Sequence, residues 1–97
     1  MPQAIKAGIK PELIIGNTLI DMYVKSCSLR EAEQVFDKLV ARDVVSWTAL
    51  IAGYAQLGEN DNVFHTYDQM HESGIKPNLI TFVNLLNACN QAGGYGV

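Results

Sequence analysis

The stretch Val44-Val45-Ser46-Trp47-Thr48-Ala49-Leu50-Ile51-Ala52-Gly53-Tyr54 decides how this chain is read. Trp47, Leu50, Ile51 and Tyr54 fall at i, i+3, i+4 and i+7, a single apolar stripe along a helix. The pattern occurs three times. Leu13-Ile14-Ile15-Gly16-Asn17-Thr18-Leu19-Ile20-Asp21-Met22-Tyr23 precedes it by 31 residues, and Leu79-Ile80-Thr81-Phe82-Val83-Asn84-Leu85-Leu86-Asn87-Ala88-Cys89 follows it by 35. A second phrase, Ala7-Gly8-Ile9-Lys10-Pro11-Glu12, returns as Ser73-Gly74-Ile75-Lys76-Pro77-Asn78 after 66 residues, the total of those two steps. Periods that close in this way mark a repeat array.

The units are 13–43 and 44–78, with the tail of a preceding unit at 1–12 and the opening of another at 79–97. The chain therefore reads as a cut piece of something longer. Each unit supplies a second helix. In the first unit it opens at Ser28-x-x-Glu31, the spacing of a capping box, and carries Leu29, Ala32, Val35, Phe36 and Leu39. In the second it uses Val63, Phe64, Tyr67 and Met70, and Gly74 and Pro77 punctuate its end. Ser46 and Thr81 stand ahead of their stripes, where an N-cap belongs. Gly58 and Gly93 occupy equivalent inter-helix turns and suit a left-handed residue; Cys27 holds that place in the first unit. One hairpin cannot bury both of its stripes, so neighbours must stack. The expected fold is all-α: an α-solenoid of antiparallel helical hairpins.

Composition narrows function by exclusion. The chain has 97 residues, 48% hydrophobic and 18% charged, which fits one small folded body. No apolar run is long enough to span a bilayer, and the first residues have neither a secretory signal nor an Arg-rich transit peptide. Cys27 and Cys89 belong to no metal-ligand cluster, and His65 and His71 stand six apart on a helix, where they diverge. Asp61, Glu59 and Asp68 read as solvated carboxylates, and no phosphate loop or nucleophile motif occurs. Catalysis, a cofactor, a metal and a small-molecule substrate are not expected. A net charge of −3 disfavours non-specific grip on phosphates but leaves recognition of exposed bases open.

Each first helix has a second face beside its stripe: Val45, Thr48, Ala52 and Ala55, matched by Ile14, Asn17, Asp21 and Val24. It is small, with polar groups in its middle. From periodicity alone it reads more readily as a solvated helix side than as a binding surface.

Trp47-x2-Leu50-x3-Tyr54, Ala32-x3-Phe36, Val63-x3-Tyr67 and Pro77 are a pattern common to tetratricopeptide and pentatricopeptide repeats. Ile20, Ile51 and Leu86 stand where tetratricopeptide repeats carry Gly, and the alternating period resembles the PLS subclass of plant pentatricopeptide-repeat (PPR) proteins. Gly16 to Tyr23, Ala32-x-x-Val35-Phe36-Asp37 and Arg42 to Tyr54 look strongly like that subclass; Lys25-Ser26-Cys27 departs from its usual Lys-Cys-Gly turn. By this resemblance unit 13–43 is S-type, 44–78 is P-type and 79–97 opens an L-type unit.

The resemblance implies that the fifth and last residues of a unit hydrogen-bond one RNA base while the second packs on base planes. The reading pairs would be Asn17 with Asp43, for uridine, and Thr48 with Asn78, for adenine; the packing residues would be Ile14, Val45 and Ile80. Val83, at the fifth place of the third unit, would read no base strongly, and Lys25 stands near where some PPR repeats touch phosphate, although Gln56 and Gln91 hold the equivalent places. It further implies single-stranded RNA as partner, a parent protein in mitochondrion or chloroplast that specifies editing or processing sites, and protein partners in an editing complex. A zinc deaminase signature, as in editing members, is absent here. The alternative reading is a peptide-binding solenoid of the tetratricopeptide kind, which has no need of paired polar residues at those places; a third is a purely structural spacer.

Overall fold

A computed structural model describes residues 11–90. These form five helices: α1 (Pro11–Lys25), α2 (Leu29–Lys38), α3 (Val44–Gln56), α4 (Asn60–Glu72) and α5 (Leu79–Cys89). The all-α expectation holds among the described residues. Helices α1 and α2 form one hairpin and α3 and α4 a second; α3 packs between α1 and α5, so the first helices of successive units make one layer.

The stripe of Trp47, Leu50, Ile51 and Tyr54 is the core. All four are buried, together with Ile20, Val24, Ala32, Phe36, Val63, Met70 and Ala88. Trp47 meets Phe36 edge-on, with centroids 4.8 Å apart, and the Arg42 guanidinium lies 4.3 Å from the centre of the Phe36 ring. Both geometries follow the ring quadrupole, whose edge is positive and whose face is negative. Between the hairpins the Tyr54 hydroxyl donates to Glu33. Burial, and then the Glu33 carboxylate, holds the Tyr54 phenol well above its ordinary value.

Three helix ends share one design. Ser28 N–H reaches Tyr23 O at 2.8 Å and Cys27 N–H reaches Val24 O at 3.0 Å, with Cys27 at φ 60°. Gly58 and Gly74 close α3 and α4 with the same pair of bonds, at φ 75° and 81°. This is the Schellman arrangement, in which a left-handed residue turns two amides back onto orphan carbonyls. The left-handed expectation for Cys27 and Gly58 is therefore met; Gly93 lies outside the described residues.

Helix α2 ends differently. It has 10 residues against 13 in α4, and the loop behind it (39–43) is one residue shorter than 73–78; this is the difference between the two periods. With no left-handed residue to turn the chain, Arg42 Nε caps the Phe36 carbonyl at 3.1 Å. Leu39 folds back onto α1 at Gly16, where a Cβ would lie 2.5 Å from Leu39 Cδ2. Gly16 occupies the place that Trp47 holds in the next unit, so the room is made where the stripe gives up its ring.

Four expectations are corrected. The N-caps of α3 and α5 are Asp43 and Asn78, and Ser46 and Thr81 stand three residues inside as partners in capping boxes. Ser28 makes no side-chain cap, its backbone at φ −102°, ψ 64° lying outside the extended conformation that Asp43 and Asn78 adopt, and its amide closes α1 and is not free for a box with Glu31. Phe64 is exposed, while Thr66 is buried between Val63 and Met70. The second face of the first helices is not simply solvated: Thr48, Ala55 and Val24 are buried where those helices stack. On α5, Leu79, Phe82 and Leu86 remain exposed, since no helix among the described residues covers them.

Trp47→Ala removes a ring that is 3% exposed, and should cost about 3–5 kcal/mol. Among the described residues the indole N–H meets no acceptor, so the loss should fall toward the lower end of that range. In an assembly this small that should abolish cooperative thermal unfolding; an unchanged melting curve would contradict the packing described here. Cys27→Gly relieves a side chain at φ 60° and should stabilise by about 1 kcal/mol. Calorimetry checks it, and a lower melting temperature counts against a left-handed turn.

Candidate nucleic-acid interface

The loop leaving each hairpin delivers its last residue to the N-terminus of the next first helix, where backbone amides lack intrahelical acceptors. Asp43 Oδ1 accepts from Ser46 N–H at 3.0 Å, and Ser46 Oγ accepts from Asp43 N–H at 3.2 Å. Asn78 and Thr81 repeat the box, at 3.0 and 3.2 Å. A short side chain with an acceptor is needed here for folding alone.

The residues proposed to read each base converge on these caps. Asn17, on α1, donates from Nδ2 to Asp43 Oδ1 at 3.1 Å although 26 residues separate them. Ser46 Oγ donates to Asn17 Oδ1 at 2.5 Å. Thr48 and Asn78 come together less directly. The Thr48 and Thr81 hydroxyls are 2.8 Å apart, and Thr81 Oγ1 donates to Asn78 Oδ1 at 3.0 Å. A hydroxyl from the third place of the following unit thus joins each pair.

Sequence reasoning missed that role for Ser46 and Thr81. Its signal was present as Asp43-x-x-Ser46 and Asn78-x-x-Thr81, a capping box with the acidic or amide residue first and the hydroxyl second.

Exposure distinguishes these residues. Asn17 and Asp43 are half-buried and Asn78 is exposed, whereas Thr48 keeps 7% of its surface. Ile14, Val45 and Ile80 stand 52–60% exposed, one at the second place of each unit, as stiff apolar side chains beside the polar pairs. Val83 is exposed as well. Lys25 pairs with Asp21 at 2.9 Å on the surface of α1, so a phosphate there would compete with a carboxylate. Gln56 is exposed, and Gln91 lies outside the described residues.

Burial alone would raise the Asp43 carboxyl, but hydrogen bonds from the Ser46 amide, Asn17, the Ser46 hydroxyl and the Val45 amide outweigh it and hold the group below its usual 3.8. The folded chain then binds this proton less readily than the unfolded chain. Its contribution to stability is complete above the unfolded value and is lost as pH falls through the lower folded value. Acidification from about pH 5 to about pH 3 should therefore lower the melting temperature more steeply in the natural chain than in Asp43→Asn, which keeps the cap without the charge. Parallel slopes would mean that Asp43 is not held ionised by this network.

The comparisons agree with the geometry. Residues 42–91 match the PPR repeat family and residues 17–44 match the PPR repeat. Two mitochondrial pentatricopeptide repeat-containing proteins of Arabidopsis thaliana are similar, one 47% identical over 93% of this chain, the other 41% identical over 94%. A further pentatricopeptide repeat-containing protein of that plant is 42% identical over 92%. The chain spans 12–18% of the length of these relatives. A match across more than half of the residues, with stacked hairpins at the matched positions, places this chain in the pentatricopeptide-repeat family of helical-hairpin proteins.

Proposed function

We propose that this chain binds single-stranded RNA through its first helices, one base per repeat, as part of a longer organellar protein that specifies RNA editing or processing sites. The observation that carries this reading is the meeting of Asn17 with Asp43, two polar side chains 26 residues apart at the mouth of a helix, flanked by the exposed Ile14 and Val45. Folding requires a cap at Asp43 but does not require a carboxamide from the preceding helix to join it. Under this reading Asn17 and Asp43 take uridine, Thr48 and Asn78 take adenine, and Ile14, Val45 and Ile80 pack on base planes. The order is U then A, 5′ to 3′ along the chain. Stacking and edge contacts carry the binding, as suits a chain of net charge −3. Unit types S, P and L for 13–43, 44–78 and 79–97 belong to the same proposal. The mitochondrial relatives support an organellar parent, and protein partners would belong to its editing complex.

Placed within a longer array of such repeats, Thr48→Asn with Asn78→Asp copies the Asn17/Asp43 pair. It should move preference at that position from A to U by about 1–3 kcal/mol and leave neighbouring positions unchanged. Binding to four RNAs differing at that one base checks it. An unchanged ranking would favour a peptide-binding solenoid instead.

A further inference from the structure

The two residues that the sequence reading placed as N-caps are fully buried. Ser46 and Thr81 are both 0% exposed, and each carries a single proton that can go to only one place at a time. Where it goes can be derived. Asn78 Oδ1 faces the Thr81 backbone N–H at 3.0 Å, so the oxygen of that carboxamide, not its nitrogen, must lie there. An oxygen only accepts, so Thr81 Oγ1 must donate its proton to Asn78. Thr81 then has none left for Thr48, and the 2.8 Å contact between the hydroxyls requires Thr48 to donate. Thr48 is thereby left with lone pairs and no free proton. Asn78 is left with the N–H groups of Nδ2.

The first pair obeys the same count. Asp43 is a carboxylate and can only accept, so Asn17 must turn Nδ2 toward it and Oδ1 toward Ser46. Ser46 Oγ has two acceptors in reach, Asn17 Oδ1 at 2.5 Å and Asp43 Oδ1 at 3.1 Å, so its proton is divided between them with the shorter bond to Asn17. What remains is the second N–H of Asn17 and the lone pairs of Asp43 Oδ2.

We infer that Ser46 and Thr81 are positioning residues that set the hydrogen-bond polarity of the two reading pairs, Thr81 by making Thr48 an obligate acceptor and Ser46 by fixing the amide of Asn17. This rests on the base-reading assignment above. The remaining groups match the assigned bases. An acceptor at Thr48 beside a donor at Asn78 complements the adenine N6–H and N1. A donor at Asn17 beside an acceptor at Asp43 complements the uracil O4 and N3–H. Guanine presents an acceptor, O6, where adenine presents its N6 donor, and meets an oxygen at Thr48 that has no proton to give.

The experiment has two parts. In the free 97-residue chain, the deuterium isotope shift on Thr48 Cβ reports exchange of its hydroxyl proton. Exchange should be slow in the natural chain and in Thr81→Ser, and fast in Thr81→Val; equal rates in the natural chain and Thr81→Val would overturn the inference without any RNA. In the longer array, binding is measured to RNAs with A, G, C or U at the Thr48/Asn78 position. Thr81→Val should narrow the A-over-G ratio by about threefold to tenfold, one neutral hydrogen bond's worth, and Thr81→Ser should restore it. A loss of affinity shared equally by all four RNAs would show a structural role only and would overturn the inference. Thr48→Ala is the control for the underlying reading. If it leaves the ranking of bases unchanged, base reading itself fails; if it changes the ranking while Thr81→Val does not, only the polarity account fails.

Discussion

The start of each first helix is where the demands of folding and, on the proposed reading, of base recognition fall on the same atoms. Asp43 Oδ1 accepts from the Ser46 amide, which the helix requires, and from Asn17, which it does not. Asn78 Oδ1 does the same for Thr81 and, through it, for Thr48. A residue at this place must keep a short acceptor or the helix loses a cap worth about 1 kcal/mol. The choice of residue at the last place of a unit is thereby narrowed by helix physics, whatever base it is proposed to read. Variation there is free only among side chains that cap.

The stacking of hairpins brings the second member of each pair to that cap. Gly53 is central to this, because a Cβ on it would lie 2.7 Å from Val24 Cγ2, and its absence lets α3 settle against the end of α1. With α3 in that position, its N-terminal box meets Asn17 and its Tyr54 meets Glu33. The shorter first unit reaches the same geometry by other means. Leu39 on Gly16 and Arg42 on the Phe36 carbonyl replace the glycine-closed end that α4 uses. Four residues fewer in the unit alter the outer helix and its exit and leave the Asn17–Asp43 contact in place.

Electrostatics in this segment are local. The chain is net negative, and Lys25, the cation singled out as a possible phosphate contact, is held by Asp21. What remains at the helix mouths is oriented dipoles and one depressed carboxyl, Asp43, held by hydrogen bonds. Such a surface suits the proposed discrimination between base edges better than attraction of a polyanion, and under that proposal strength of binding accumulates over many units.

The sequence alone determined the helices, their pairing into hairpins, the buried stripe and the left-handed turn at Cys27, because periodicity and turn chemistry are local properties written in neighbouring residues. It also brought out Asn17, Thr48, Asp43 and Asn78, though by family resemblance and not by their spacing. Which residue caps each helix was decided only in three dimensions. Ser46 and Asp43 are both good caps by type, and so are Thr81 and Asn78, but the loop from the preceding hairpin arrives in extended backbone at Asp43 and Asn78 and starts the helix there. Ser28 has a cap's identity and spacing, yet the end of α1 claims its amide. Thr66 displaced Phe64 from the interior because the second helix turns the face that its partner covers, which a pattern read from one helix cannot register. The buried hydroxyls of Ser46 and Thr81 belong to the same class: they reach side chains 29 and 33 residues away, and only the packing of one hairpin on the next sets those distances.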